Sequence, residues 1–340
     1  MGNLEIKNRR YIGNKSKLLD FIDTSIKKEK IEFESFGDIF AGTGVVSQFF
    51  ADKGKDIVVN DLLYSNYVVY EALMSNIHYD KEKIDKYINY YNDLDSVEIK
   101  ENYFSDNFSG NYYHYLDAKK IGYIRDNIES EKIIGNINVR EYYILITCLL
   151  YSVDKISNTV GHYESFLNKD PQYKNIKIYP IEIKEYNGKI NIYNEDANKL
   201  VKNIKVDIMY LDPPYNARQY ANFYHLLENL TKWEKPAVYN KAKKMERKNI
   251  MSEYSKSNAR EVFEDLINNI NSKYILVSYN NTYEAKSLSS VNTITYEDML
   301  NILNKRGKTK VYETDYKFFN SGKTNLNRHK ERIFICKVNS

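Results

Sequence analysis

The sequence predicts an α/β fold whose strand–helix alternation is broken by one long helical insertion. Three observations carry that prediction. Residues 36–61 read as strand, glycine turn, helix and second strand, and residues 189–338 resume the same alternation. The run Val206–Leu211 is apolar, of buried-strand length, and stops at two successive prolines, where a central strand cannot continue. From Tyr64 to about Gly188, by contrast, amphipathic helical patterns dominate. Such a block has to fold as a subdomain outside the sheet, so the expected division is 1–63 with 189–340 for the sheet and 64–188 for the insertion.

The first element is a helix carrying Leu18, Ile22 and Ile26 on one face, with Ser16 as its expected N-cap. Before it stands Arg9-Arg10-Tyr11-Ile12-Gly13-Asn14-Lys15. Gly13 permits close backbone approach to a ligand and Lys15 is placed to meet a carboxylate, although a capped surface helix after a basic turn explains the same residues. Next come a strand over 36–41, the turn Gly42-Thr43-Gly44, a helix over 45–51 and a strand over 56–60 that ends in Asp61. An acidic residue about 20 residues beyond a glycine turn is the arrangement that holds a ribose diol in nucleotide-binding folds. The turn lacks the third glycine of a dinucleotide fingerprint and the Lys-Ser/Thr of a phosphate loop, so a nucleoside without pyrophosphate fits better.

Within the insertion the helical patterns lie near 64–76, 80–93, 117–129 and 139–152, with a turn-rich aromatic stretch at 94–116. Asn158-Thr159-Val160-Gly161-His162-Tyr163 is either a loop facing substrate or a plain connection. Alternation resumes with a strand at 189–193, then Asn194-Glu195-Asp196 and a short helix to Lys202. Asp196 sits at a strand's C-terminal end, where open α/β sheets bind ligands, and an N-cap role is compatible with that.

Asp212-Pro213-Pro214-Tyr215 then leaves a carboxylate at the mouth of the sheet. The prolines fix two φ angles and remove two backbone donors, so the carbonyls there have little freedom. The Asp212 carboxylate and a neighbouring carbonyl can together accept both hydrogens of one NH2 group. On a heteroaromatic ring such a group is a poor nucleophile, and two acceptors stabilise the positive charge that develops as its nitrogen attacks carbon. Tyr215 adds a face on which a flat base could stack. A strand ending in an Asp-Pro turn over a packed tyrosine would account for the same four residues.

The remaining chain reads as a helix over 219–232, the basic run KAKKMERK at 241–248, a helix at 261–270, a strand at 274–278, a helix at 296–305, and strands at 309–317 and 331–338. The basic run is a solvated face or a phosphate-contacting loop, and the basic SGKTNLNRHK between the last strands is a DNA contact or a soluble hairpin. Lys plus Arg total 50 against 46 Asp plus Glu, a net charge of +4, which permits a nucleic-acid partner without arguing for one. Cys148 and Cys336 have no zinc or disulfide spacing, there is no apolar signal core, and no apolar stretch is long enough to cross a bilayer. A soluble cytoplasmic protein, with no membrane association, is expected.

With these pieces assembled, the chain resembles the N6-adenine DNA methyltransferases of the Dam-like, alpha motif order. The matching stretches are RYIGNKSKLL at 10–19, DIFAGTG at 38–44, ND at 60–61, an insertion, NEDA at 194–197 and LDPPYN at 211–216. Restriction-modification methylases are also similar in NTVGHYESFL, NARQY, FYHLLE and SYNN. Several motifs in one order are far more specific than any single match.

The resemblance implies a Rossmann-like mixed sheet of seven strands and an inserted, mainly helical target-recognition subdomain. It implies methyl transfer from S-adenosylmethionine to a flipped adenine in duplex DNA, with S-adenosylhomocysteine as product and no metal. By matching position, Tyr11, Asn14 and Lys15 would close the cofactor pocket; Phe40, Ala41, Gly42, Thr43 and Gly44 would line it. Asp61 would hold the ribose hydroxyls and Asp196 the cofactor's adenine amine, with Leu62, Ala197 and Asp212 also at the cofactor, and Asp212, Pro213, Pro214 and Tyr215 would hold the target base. Candidate nucleic-acid contacts are Arg218, Tyr220, Lys243, Lys244, Arg247, Lys248, Lys323 and Arg328. A cognate restriction endonuclease is the expected functional partner. A cytosine-N4 methyltransferase needs the same chemistry, though that group more often has Ser in place of Asp212. An RNA adenine methyltransferase could use a similar Pro-Pro turn, and a non-catalytic nucleic-acid-binding protein could be built on the same fold.

Overall fold

Among the residues described by the computed structural model (4–280, 292–315 and 330–339), seven strands form one sheet. They are β1 (Ser35–Asp38), β2 (Asp56–Asn60), β3 (Ile190–Tyr193), β4 (Val206–Leu211), β5 (Ser272–Asn280), β6 (Gly307–Asp315) and β7 (Lys330–Val338), in the order β3-β2-β1-β4-β5-β7-β6. The first five are parallel, and β7 runs antiparallel between β5 and β6. The expected mixed seven-stranded sheet is therefore present. From β1 the chain progresses to one side through β2 and β3, then returns to β1's other side as β4. That reversal opens a crevice at the carboxyl ends of β1 and β4, the place where open α/β sheets bind ligands.

The helices are α1 (Leu19–Lys28), α2 (Val45–Ala51), α3 (Tyr64–Met74), α4 (Lys81–Asp93), α5 (Tyr103–Phe108), α6 (Tyr115–Ile133), α7 (Val139–Ile156), α8 (Ala197–Leu200), α9 (Tyr220–Phe223), α10 (His225–Lys232), α11 (Ala259–Asn269) and α12 (Tyr296–Arg306). Two compact units result. A sheet unit comprises Asn14–Leu62, Tyr186–Ala221 and Asn249–Ser340; a helical unit comprises Met1–Gly13, Leu63–Glu185 and Asn222–Lys248. The sequence division thus differs in two segments, since 4–13 and 222–248 pack with the inserted helices. Leu4 donates its N–H to the Pro180 carbonyl at 2.8 Å and accepts from Glu182 at 2.7 Å, and the buried Arg9 guanidinium reaches Asn66.

In the sheet unit, side-chain alternation along β4 sends Met209 and Leu211 to one face, where they pack with Phe263, Leu266 and Ile267 of α11 and Met299, Ile302 and Leu303 of α12. The other face carries Phe36, whose ring stacks on Phe50 of α2 at 4.2 Å and on Tyr210 at 5.9 Å. Each such side chain contributes about 1.5–3 kcal/mol on burial. Three local expectations are corrected. Ser16 does not cap α1: Leu18 holds the N-cap position, and the Asn14 side chain accepts the Ser16 N–H at 2.8 Å, closing a turn. The helix expected over 219–232 breaks at Tyr224, whose φ of −119° and ψ of 17° separate α9 from α10. The turn-rich stretch at 94–116 contains α5, started by a capping box between Asn102 and Ser105.

The helical unit is held by buried polar locks as well as by apolar packing around α7. Glu228 of α10, fully buried, accepts the N–H groups of Tyr64 at 3.2 Å and Ser65 at 2.7 Å, so its charge lies at the positive end of α3. Arg125 of α6, equally buried, donates to the carbonyls of Leu230 at 2.8 Å and Thr231 at 3.1 Å at the C-terminal end of α10, and pairs with Glu129 at 2.8 Å. Replacing Arg125 by Met strands these acceptors. Urea titration is expected to show a loss of about 3 kcal/mol or more for that variant.

Candidate active site

The glycine turn after β1 is built by side chains from the next strands. Gly42 and Gly44 adopt φ of 55° and 81°, left-handed values that a Cβ would strain, and Gly44 occupies the N-cap of α2. The Asp61 carboxylate accepts the Gly42 N–H at 2.9 Å. Asn60 donates to the Ile39 carbonyl at 3.0 Å and to that of Glu195 at 3.1 Å, while Asn194 donates to the carbonyls of Asp61 at 2.7 Å and Leu62 at 3.0 Å. These two asparagines bind together the carboxyl ends of β1, β2 and β3. Thr43 and Asp61 are buried; Ala41 and Leu62 are half-buried, as is Phe40, which meets Tyr254 edge-on at 5.0 Å. Asp196 caps α8 by accepting the Lys199 N–H at 3.1 Å, with Ala197 as the first helical residue. The N-cap reading therefore holds, and Asp196 also fronts an open cleft of about 370 Å³ with Asn198 and Val262.

Across the crevice, Asp212 follows β4 directly. Its side chain is 16% exposed, and its Oδ1 lies 3.2 Å from Lys15 Nζ and also meets the Tyr215 hydroxyl. Lys15 thus faces a carboxylate of its own chain. Burial opposes the Lys15 charge, yet Asp212 and then Glu331, 4.0 Å away, hold its pKa well above the usual lysine range. Burial pushes the Asp212 carboxyl above its ordinary value while Lys15 pulls it down. Tyr215 contacts both Asp212 and the Ser278 carbonyl through its hydroxyl, and its ring, buried, packs edge-on to Tyr279 at 5.4 Å. In this conformation its hydroxyl orients Asp212. The Tyr215 carbonyl accepts from the Thr293 N–H at 2.7 Å, which pins the turn; Pro213 is buried and Pro214 half-buried.

A third carboxylate completes the cluster. Asp38, at the end of β1, is 1% exposed; its Oδ2 accepts from Ser47 at 2.8 Å, and its Oδ1 is a buried oxygen without a hydrogen-bond partner among the described residues. Burial, reinforced by Asp212 and Asp61, raises its pKa to about 7, against the pull of Ser47. An electronegative crevice of this kind suits a positively charged small ligand. Sequence reasoning assigned no role to Asp38 or Glu331, although both carried a signal. Asp38 opens the glycine-turn motif, and Glu331 shares the apolar face of β7 with Ile333 and Ile335.

Tyr220 begins α9, and its phenol is raised by burial and then by Asp212 and Asp61; Arg218 is exposed. In the helical unit the Tyr11 ring stacks on Tyr224 at 4.6 Å. There Lys244 pairs with Glu164 at 3.0 Å and Arg247 donates to Asn222 at 2.6 Å, so both are engaged internally; Lys243 is half-buried and Lys248 exposed. Asn158 ties its loop down by donating to the carbonyls of Asn111 at 2.9 Å and Lys169 at 2.9 Å. Lys323 and Arg328 fall outside the described residues. Among the described residues, no group of three or more His, Cys, Asp or Glu is arranged to hold a metal ion, and no helix is long and apolar enough to cross a membrane.

A sheet of this order, with a glycine turn after β1 and Asp-Pro-Pro-Tyr after β4, defines a Rossmann-like methyltransferase fold. The model of the D12 class N6 adenine-specific DNA methyltransferases matches residues 11–291, and the chain belongs to that family. It is 36% identical over 290 residues to modification methylase LlaI of Lactococcus lactis subsp. lactis, covering 80% of this chain and 46% of that protein. Modification methylase StsI of Streptococcus sanguinis is 36% identical over 313 residues, covering 86% and 46%. Type II methyltransferase M.NlaIII of Neisseria lactamica is 33% identical over 332 residues, covering 94% and 95%. The chain therefore spans about half the length of the first two relatives and nearly all of the third.

The Asp38 environment has a consequence for stability. Its carboxyl titrates near 3.8 when unfolded and about 7 when folded, so the folded chain binds the proton more tightly. The associated stability is complete below the lower value and is lost as pH rises through the upper one, by on the order of a few kcal/mol. Urea titrations at pH 5 and pH 8 are expected to show Asp38→Asn gaining on the wild type at the higher pH.

Proposed function

We propose that this chain transfers the methyl group of S-adenosylmethionine to the exocyclic N6 amine of adenine in duplex DNA, site-specifically, as the protective activity of a restriction-modification system. The observation that carries this reading is the placement of Asp212, backed by Lys15 and Tyr215, at the strand-order reversal opposite the glycine turn and Asp61. Family membership and the names of the relatives support it.

The residues fit the donor. Phe40, Ala41, Gly42, Thr43 and Gly44 would line its pocket, Asp61 and Leu62 would take the ribose, and Asp196 and Ala197 the adenine, beside the Asn198 and Val262 wall. The unpartnered Asp38 Oδ1 suits an ammonium group, and the carboxylate cluster suits a cation. When bound, the donor supplies a methyl group already activated by its positive sulfur and leaves as the neutral sulfide S-adenosylhomocysteine.

Asp212 and the Pro213 carbonyl would accept the two amine hydrogens, drawing the nitrogen lone pair out of conjugation as positive charge develops there. The Asp212 carboxylate is the nearest acceptor for the proton that nitrogen gives up after transfer, and its burial makes it a stronger base than an exposed aspartate. Holding the reactants in line supplies much of the remaining acceleration. The helical unit would supply target-sequence contacts, with Lys248 its exposed basic candidate, and Arg218 would be the exposed basic candidate of the sheet unit. A cognate endonuclease would be a functional partner.

Incubation with labelled S-adenosylmethionine and, separately, duplex DNA, single-stranded DNA and RNA, followed by nucleoside mass spectrometry, tests the reading. N6-methyladenine in duplex DNA is expected. Label in N4-methylcytosine or in RNA overturns the substrate assignment, and no label despite donor binding overturns the activity. Asp212→Ala is expected to lower transfer by roughly 10³-fold or more while donor affinity by calorimetry stays within a few-fold; an active variant would sink the assignment.

A further inference from the structure

Lys15 poses an electrostatic problem for the proposed reaction. An ammonium 3.2 Å from Asp212 opposes the positive charge that must grow on the attacking nitrogen, and it competes for the oxygen that should accept from the amine. The side chain is 8% exposed, so water does little to screen it. A second buried carboxylate stands on its other side. Glu331, at the start of β7, is held in register opposite Asn280 of β5 and Thr314 of β6, with its side chain 7% exposed and its Oε2 4.0 Å from Lys15 Nζ.

Building on the proposed methyl transfer, we infer that Glu331 is a positioning residue for it: it shares the Lys15 charge, so that Asp212 keeps a net negative field and a free acceptor capacity toward the target amine. The charged and titratable groups around it are consistent with this. Asp212 and Tyr215 face it from beyond β4, Tyr210 lies on β4 beside Lys15, and Asp38 lies at the end of β1. Its strand neighbours Lys330 and Arg332 are turned to Glu313 at 2.7 and 2.6 Å, on the opposite side of β7. With Asp212 and Glu331 ionised and Lys15 protonated, the trio carries a net negative charge; without Glu331 it is neutral. Loss of Glu331 leaves Lys15 wholly to Asp212, making that carboxylate a weaker base and a weaker stabiliser of developing cation.

The test compares wild type, Glu331→Gln and Glu331→Asp in methyl transfer to duplex DNA across pH 5–9, with donor affinity by calorimetry and thermal unfolding alongside. Glu331→Gln is expected to lower kcat on the order of tenfold with donor affinity unchanged. Its acidic limb should move to lower pH, because the negative neighbour that raises Asp212 is gone. Glu331→Asp restores most of kcat and the wild-type limb. Wild-type kcat and limb in Glu331→Gln overturn the inference, as does an equal loss in both variants with the limb unmoved. Absence of transfer by the wild type with every nucleic acid instead removes the proposed activity on which it rests.

Discussion

The buried pairing of Lys15 with Asp212 is the interaction on which the sheet unit's crevice depends. Asp38, Asp61 and Asp212 project from the ends of β1, β2 and β4, and the last two add to the cost of ionising Asp38. A cluster of that kind folds only if some charge is neutralised or some proton retained. Lys15 supplies the first remedy at Asp212, and the proton held by Asp38 up to about pH 7 supplies the second. The sequence neighbourhood of Lys15 has the same logic. The turn closed by Asn14 and Ser16 brings the lysine to the edge of the sheet before α1 begins, so a residue from the start of the chain serves a carboxylate nearly 200 positions later.

The helical unit solves a different problem with the same means. The start of α3 and the end of α10 lie inside the unit, where orphan backbone groups need a partner other than water. Glu228 caps α3 and Arg125 caps α10, each from a neighbouring helix. Arg9 lies buried beside the stacked rings of Tyr11 and Tyr224, 5.4 and 5.8 Å from their centres. These contacts explain why residues 4–13 and 222–248 belong with the insertion.

Much of the fold was legible in the chain. β2 and β4 have the limits that the apolar runs indicate, because inner parallel strands are buried on both faces and are stopped by polar or proline residues. The helix α5 was not legible, since its six residues show too little periodicity and owe their start to the Asn102–Ser105 capping box. Nor was the break at Tyr224, where the apolar pattern runs on without interruption. At the site, the sequence identified which loops meet but not which side chains pair. Lys244 with Glu164 and Arg247 with Asn222 are tertiary contacts, and no local pattern separates such engaged cations from the exposed Lys248. Tyr215 is the sharpest case: no local pattern indicates that its hydroxyl is drawn inward to Asp212 and the Ser278 carbonyl.

The central claim is that Asp212 and the Pro213 carbonyl form a preplaced acceptor pair for a base amine, with Lys15 behind them. A crystal structure of the protein with S-adenosylhomocysteine and a duplex containing the sequence it methylates tests that claim most directly. The account predicts an adenine turned out of the duplex, its N6 within hydrogen-bond distance of both the Asp212 carboxylate and the Pro213 carbonyl, and Lys15 still on Asp212. An extruded base whose amine is held elsewhere, with Asp212 bonded only to Lys15 and Tyr215, would contradict it.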